Sequence, residues 1–97
     1  MTEDLNAMKM DSQQTEDFRK AILNVLDQRG SDQFGLGVMA IQTFLVQFGF
    51  RGIEPGPVTT ELQYLADKGL VSPVGKTISP ENRCWRITAN GRDFLAA

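Results

Sequence analysis

GPVTTELQYLADKGLV, residues 56–71, is the segment that best indicates the fold of this chain. Within it Val58, Leu62 and Leu65 recur at the spacing of one helical face. An apolar stripe with this period predicts a helix that buries one side against a core and exposes the other.

The sequence also predicts where this helix begins and ends. Pro57 suits a first helical position because it has no N–H to satisfy and its φ is already helical. Gly56 before it is tolerated at the N-cap. Gly69 stands where a left-handed C-cap is expected, so the helix ends there and Leu70 and Val71 start a strand.

A second strand is predicted at residues 84–88, after a turn-rich loop over residues 72–83. Alternation places Trp85 and Ile87 on one face and the intervening residues on the other. This pattern favours core packing of Trp85 over an exposed stacking role. Thr88 is the predicted cap of a last helix that carries Phe94 and Leu95.

These residues resemble a known family. The resemblance rests on Leu62, Leu65, Gly69-Leu70-Val71, Trp85-Arg86-Ile87-Thr88 and Asn90-Gly91-Arg92. The run is similar to the recognition helix, wing and closing helix of ArsR-, MarR- and PadR-type regulators, and to small ArsR-like proteins of Mu-like prophages. The resemblance implies an α+β winged helix-turn-helix domain over residues 15–97, with a three-helix core, a two-stranded wing and a C-terminal helix.

Composition limits the functions that are open to the chain. Ninety-seven residues with 41% hydrophobic side chains make one globular domain. With no histidine and one cysteine, most zinc sites, most neutral-pH acid–base catalysis and an internal disulfide are excluded. We therefore expect a cytoplasmic protein that is not an enzyme and uses no metal, cofactor or membrane.

The first half of the chain is predicted to hold two more helices. Residues 1–14 are expected to be a flexible arm, or a helix that orders only against a partner chain. Residues 15–29 form the first helix, capped by Thr15. The resemblance also implies a brief first strand at residues 34–37, where winged-helix domains often carry one. The helix over residues 38–48 has almost no polar face, since Met39, Phe44 and Val46 add to its apolar stripe. Either it is a core helix with some exposed surface, or the arm or a second subunit of a homodimer covers it.

The outward face of the helix after Gly56 is the candidate recognition surface. Thr59, Thr60, Gln63 and Tyr64 point away from the apolar stripe and suit hydrogen bonds to base edges or phosphates. None of these side chains is basic, and Glu61 and Asp67 would be repelled by a nearby DNA backbone.

The wing partly compensates for the absence of basic residues on this face. Lys76 and Arg83 lie in the predicted loop, and Arg86 projects from the solvent side of the second strand. Each is either a solvated surface charge or a contact to the phosphate backbone. The net charge of −2 argues against binding by bulk charge, so any basic patch is local.

Two hypotheses follow from these residues. The first is a small, dimeric, DNA-binding transcription regulator of bacterial or prophage character. The second is a winged-helix protein-interaction module without nucleic-acid binding, favoured by the non-basic recognition helix and the apolar helix before it. Fold alone does not decide between them.

Overall fold

The computed structural model describes residues 12–29, 35–75 and 83–97. Within these ranges four α-helices, three short strands and one 3₁₀ turn alternate along the chain. In order they are α1 (Ser12–Arg29), β1 (Leu36–Gly37), α2 (Val38–Leu45), the 3₁₀ turn (Val46–Phe48), α3 (Pro55–Asp67), β2 (Val71–Val74), β3 (Cys84–Ile87) and α4 (Ala89–Ala96). This is the α+β order that was predicted for a winged-helix domain.

The strands form one antiparallel sheet in the order β1-β3-β2. In the β2–β3 hairpin Val71 pairs with Ile87 and Pro73 with Trp85. The predicted brief first strand is present as β1, which adds to the other side of β3 through the pair Leu36 and Trp85. The loop was predicted to begin at residue 72. This start was wrong, because β2 continues through Val74.

The core lies between the helices and one face of the sheet. α1, α2, α3, β2 and β3 all contribute to it. Its largest fully buried side chains are Phe18, Ile22, Leu23, Leu26, Ile41, Leu45, Leu62 and Leu65. Trp85 is 3% exposed, so the predicted core position is confirmed.

The predicted start of α1 was wrong by three residues. Ser12, Gln13 and Gln14 are already helical, although they were assigned to the flexible arm. Gln13 Nε2 donates a hydrogen bond of 3.0 Å to Asp17 Oδ1, one turn later, so these polar residues continue the helix and Thr15 lies inside it. Residues 1–11 of the predicted arm lie outside the described residues.

The apolar helix was predicted as one element over residues 38–48, but it has two parts. α2 ends at Leu45 and tightens into the 3₁₀ turn Val46–Phe48. The turn stops at Gly49, which has a φ of 91°. A left-handed residue of this kind is typical of a chain that leaves a helix.

α3 begins at Pro55, two residues before the predicted position, with Glu54 at the N-cap. Gly56 is therefore not the cap, and Pro57 occupies the third helical position. Both prolines are tolerated because the first N–H groups of a helix have no intrahelical partner to lose.

The other end of α3 agrees with the prediction. Gly69 has a φ of 78°. Its N–H donates to Ala66 O at 2.9 Å, and the N–H of Leu70 donates to Leu65 O at 2.9 Å. This pair of bonds is a Schellman motif, which turns the chain directly from α3 into β2.

Thr88 fixes the start of α4, as predicted. Its hydroxyl oxygen accepts a hydrogen bond from the Gly91 N–H at 3.1 Å and donates to Gly69 O at 2.7 Å. The Thr88 N–H donates to Leu70 O at 3.0 Å. One residue therefore joins the end of α3, the start of β2 and the first turn of α4.

Candidate nucleic-acid interface

The polar face of α3 is the surface that the sequence singled out. Val58, Leu62 and Leu65 are buried in the core. On the opposite side the candidate contact residues are exposed, namely Thr59, Thr60, Gln63 and Tyr64. α3 therefore exposes hydroxyl, amide and phenol groups on one continuous face.

A cation from α1 joins this face, and the sequence analysis missed it. Arg19 Nε donates to Glu61 Oε1 of α3 at 2.6 Å, and the two groups form an ion pair. The Arg19 guanidinium carbon also lies 3.7 Å from the centroid of the Tyr64 ring. Cation–π contact at this distance is favourable, so one side chain holds both an acid and an aromatic of α3.

Lys68 lies at the other end of the same cluster. Its ammonium nitrogen is 5.6 Å from the centroid of the Tyr64 ring. Tyr64 is 38% exposed and lies within cation–π range of both side chains. We call Arg19, Glu61, Tyr64 and Lys68 the Arg19 cluster.

The cluster changes the charge of the recognition surface. α3 carries Glu61 and Asp67 and no Lys or Arg within Pro55–Asp67. Because Arg19 pairs with Glu61, its positive charge offsets the negative charge of the Glu61 carboxylate, which was expected to repel DNA. Asp67 accepts a hydrogen bond of 3.4 Å from Gln63 Nε2, a long contact that leaves its charge in place.

Two surface hollows flank the ion pair. Glu61 lines one of about 560 Å³ between α1 and the start of α3. Arg19 lines another of about 400 Å³ between α1, the end of α3 and α4. The pair is thus reached by water, and its side chains are 27% and 19% exposed. Pairs that are this accessible add little to folding stability.

The hairpin residues are placed on two different sides. The Arg83 guanidinium carbon lies 5.7 Å from the centroid of the Trp85 ring, beside the core. Arg86 is exposed on the opposite face of the sheet, where it pairs in register with Ser72. Lys76, the third predicted wing cation, lies outside the described residues.

The apolar surface of α2 and its 3₁₀ turn is uneven. Met39 is 79% exposed and Val46 is 39% exposed. Phe44 is half-buried, and the Arg29 guanidinium carbon lies 5.0 Å from its ring centroid. Of the three residues predicted for a dimer or partner surface, Met39 and Val46 are thus the more open.

Other functional groups are few in the described part of the chain. Across residues 12–29, 35–75 and 83–97 no cluster of His, Cys, Asp and Glu could hold a metal ion. None of the helices in those ranges has the length and apolar character needed to cross a membrane. Cys84 is a half-buried free thiol.

Comparison with known proteins places the fold. No protein-family model and no curated protein matches the chain. RosR of H. salinarum superposes with a TM-score of 0.66 and 22% identity, over 93% of this chain and 71% of RosR. RosR in the complex named hsRosR-S4 gives 0.65 and 22%, over 91% and 66%. A PadR family transcription regulator from Clostridium difficile gives 0.58 and 18%, over 81% and 79%.

These likenesses confirm the winged-helix fold that the sequence predicted. The chain spans about two thirds of the length of the RosR chains. α2, the following turn and α3 therefore form the helix-turn-helix, and the β2–β3 hairpin is the wing.

Proposed function

We propose that this chain is a DNA-binding transcription regulator. In this proposal α3 enters the major groove of double-stranded DNA, and the β2–β3 hairpin lies against the flanking backbone. The observation that carries the proposal is the exposed polar face of α3, which holds Thr59, Thr60, Gln63 and Tyr64. Hydroxyl and amide groups of this kind hydrogen-bond to base edges and phosphates.

The solved neighbours support this function. They share the fold, and one is named as a transcription regulator of the PadR family. In a winged helix, the second helix of the helix-turn-helix is the element that reads the groove. A bacterial or prophage origin stays a prediction of the sequence.

The charge distribution predicts binding through a small number of phosphate contacts. The described residues carry eight basic and seven acidic side chains. The cations assigned to the backbone are Lys76, Arg83 and Arg86. Three phosphate contacts would give a slope of log K against log salt of about −2.7, since each contact adds about −0.9.

The test is a titration of a fluorescently labelled random-sequence duplex at low and near-physiological salt. We expect binding that is micromolar or tighter at low salt and that weakens steeply as salt rises. The Lys76→Ala, Arg83→Ala, Arg86→Ala triple variant should lose this binding. Lys20→Ala, which removes one positive charge from an exposed site on α1, is the control and should bind like the unsubstituted chain.

Base reading needs a separate variant. Thr59→Ala with Gln63→Ala should reduce affinity for a selected target sequence and leave the salt slope unchanged, because neither residue carries charge. An unchanged preference among sequences in this variant would contradict the role given to α3.

A second candidate function, a protein-interaction module, is favoured by the exposure of Met39 and Val46. It predicts no duplex binding even at low salt. Light scattering of the unsubstituted chain and of the Met39→Glu, Val46→Glu variant tests the homodimer expected from this surface. Dissociation of a dimer by the two charges would assign the homodimer to this surface, which either function allows, and a dimer that persists in the variant would exclude this surface. Duplex binding at low salt is the result that decides between the two functions.

A further inference from the structure

We infer that Arg19 is a positioning residue for DNA binding. It prepares α3 for contact with DNA by offsetting the charge of Glu61 and by holding the Tyr64 ring. This inference rests on the proposed function and assigns a role to a residue outside both the helix-turn-helix and the wing. Arg19 lies on α1, in neither of the elements that dock on DNA in this fold.

Arg19 changes the charge of α3. Without Arg19, the helix and its C-cap would carry Glu61 and Asp67 against Lys68 alone. An uncompensated carboxylate next to the groove-facing Thr60 would repel the phosphates on either side. The 2.6 Å contact between Arg19 Nε and Glu61 Oε1 offsets this negative charge where the helix needs to approach DNA.

Arg19 also holds the ring of Tyr64. The ring lies against the Arg19 guanidinium at 3.7 Å, and the same guanidinium is fixed by Glu61. The planar, always charged guanidinium suits stacking and pairing together, whereas the compact ammonium of lysine does not. Loss of Arg19 would therefore release Tyr64 as well as expose the charge of Glu61.

The structure offers a matched control in the adjacent residue. Lys20 is an exposed cation on the same helix and lines a separate hollow with Phe48 and Phe50. Arg19→Gln and Lys20→Gln remove the same charge from neighbouring positions. An effect of net charge alone would be the same in both variants, and only Arg19→Gln disturbs the Arg19 cluster.

The binding experiment is a double-substitution cycle on the random-sequence duplex at low salt. We expect Arg19→Gln to weaken binding by roughly threefold to tenfold and Lys20→Gln by less than about twofold. Adding Glu61→Gln to Arg19→Gln should recover most of the loss, because the repelling carboxylate is then gone. Glu61→Gln alone should bind at least as well as the unsubstituted chain.

A direct phosphate contact by Arg19 would give a different result. In that case Glu61→Gln would not rescue Arg19→Gln, and the salt slope would fall by about 0.9. That outcome would overturn the positioning role. Equal binding by Arg19→Gln and the unsubstituted chain would overturn it too, while leaving the proposed function intact.

A readout that does not involve DNA separates the inference from the proposed function. The chain has one Tyr and one Trp. Selective ¹³C labelling of tyrosine rings therefore gives the signals of Tyr64 alone. Arg19→Gln should shift them and leave the Trp85 indole signal in place, whereas unfolding would move both. Unmoved Tyr64 signals would overturn the stacking part of the inference.

Absence of duplex binding by the unsubstituted chain would overturn the proposed function, and the role of Arg19 on DNA with it. The Tyr64 signals would then still report whether Arg19 holds the ring. The two failures are thus distinguishable in one set of samples.

Discussion

Gly91→Ala is expected to destabilise the protein strongly, although alanine is the better helix former. Gly91 lies in the first turn of α4, against the start of β2 and the end of β3. A Cβ at this position would lie 2.3 Å from Leu70 O and 2.6 Å from Ile87 Cγ1. Neither neighbour can swing aside, because one is a backbone atom and the other belongs to a buried side chain.

The magnitude follows from three contributions. The helix would gain about 1 kcal/mol from replacing glycine with alanine. Relief of the overlap requires α4 to move away from the sheet, and forced repacking of this kind costs about 1–3 kcal/mol or more. The same movement stretches the bonds from Thr88 to Leu70 and Gly91, at about 1 kcal/mol each. We expect a net loss of about 2–4 kcal/mol in the free energy of unfolding.

The assay is urea unfolding followed by the fluorescence of the single, buried Trp85, with the m-value held as a check of two-state behaviour. The matched control is Gly37→Ala, whose added Cβ would lie 4.0 Å from Cys84 Sγ. Because Gly37 is the N-cap of α2, where alanine is less favourable than glycine, the control should lose no more than about 1 kcal/mol. In a domain of this size, the Gly91→Ala loss corresponds to a fall in Tm of at least about 8 °C.

If Gly91→Ala and Gly37→Ala unfold at the same urea concentration, the expected steric overlap at position 91 does not occur. That result would mean that α4 packs on the sheet less closely than the 2.3 Å approach implies.

Three further predictions concern stability. Thr88→Ala should lower the free energy of unfolding by about 1–2 kcal/mol, because it removes the cap of α4. Thr88→Ser keeps the capping hydroxyl and should retain most of that stability in the same urea assay. Trp85 Nε1 is buried and has no hydrogen-bond partner among the described residues. Trp85→Phe reduces the volume that fills the core but also removes the unsatisfied N–H, so it should lower the free energy of unfolding by only about 1 kcal/mol. Trp85→Ala should lower it by about 3–5 kcal/mol, as measured by circular dichroism in thermal melts. The Arg92 to Asp27 ion pair at 3.1 Å is exposed, so Arg92→Gln should shift Tm by no more than a few degrees.

Features set by local chemistry could be predicted from the sequence. The left-handed Gly69 and the Thr88 cap depend on residues within one helical turn, and both are present as predicted. The alternation around Trp85 identified its buried face for the same reason. The start of α3 was missed by two residues, because a proline is acceptable at any of the first helical positions and so does not mark one of them.

The Arg19 cluster could not be predicted in this way. Arg19 and Glu61 are 42 residues apart, and no periodicity in either helix relates them. On sequence grounds Arg19 is one more polar residue of α1, and Glu61 is an argument against DNA binding. Only the packing of α1 against α3 brings the two side chains together. Arg19 then offsets the negative charge of Glu61, which therefore no longer argues against DNA binding.

The position of Pro73 bears on how the sheet meets other chains. β2 is at one edge of the three-stranded sheet, and Pro73 lies in the middle of it. An open edge strand is a template for strand addition and aggregation, and proline blunts it because it offers no N–H. We therefore expect self-association to avoid this edge of the wing, which leaves the hairpin available for its own ligand even at high protein concentration.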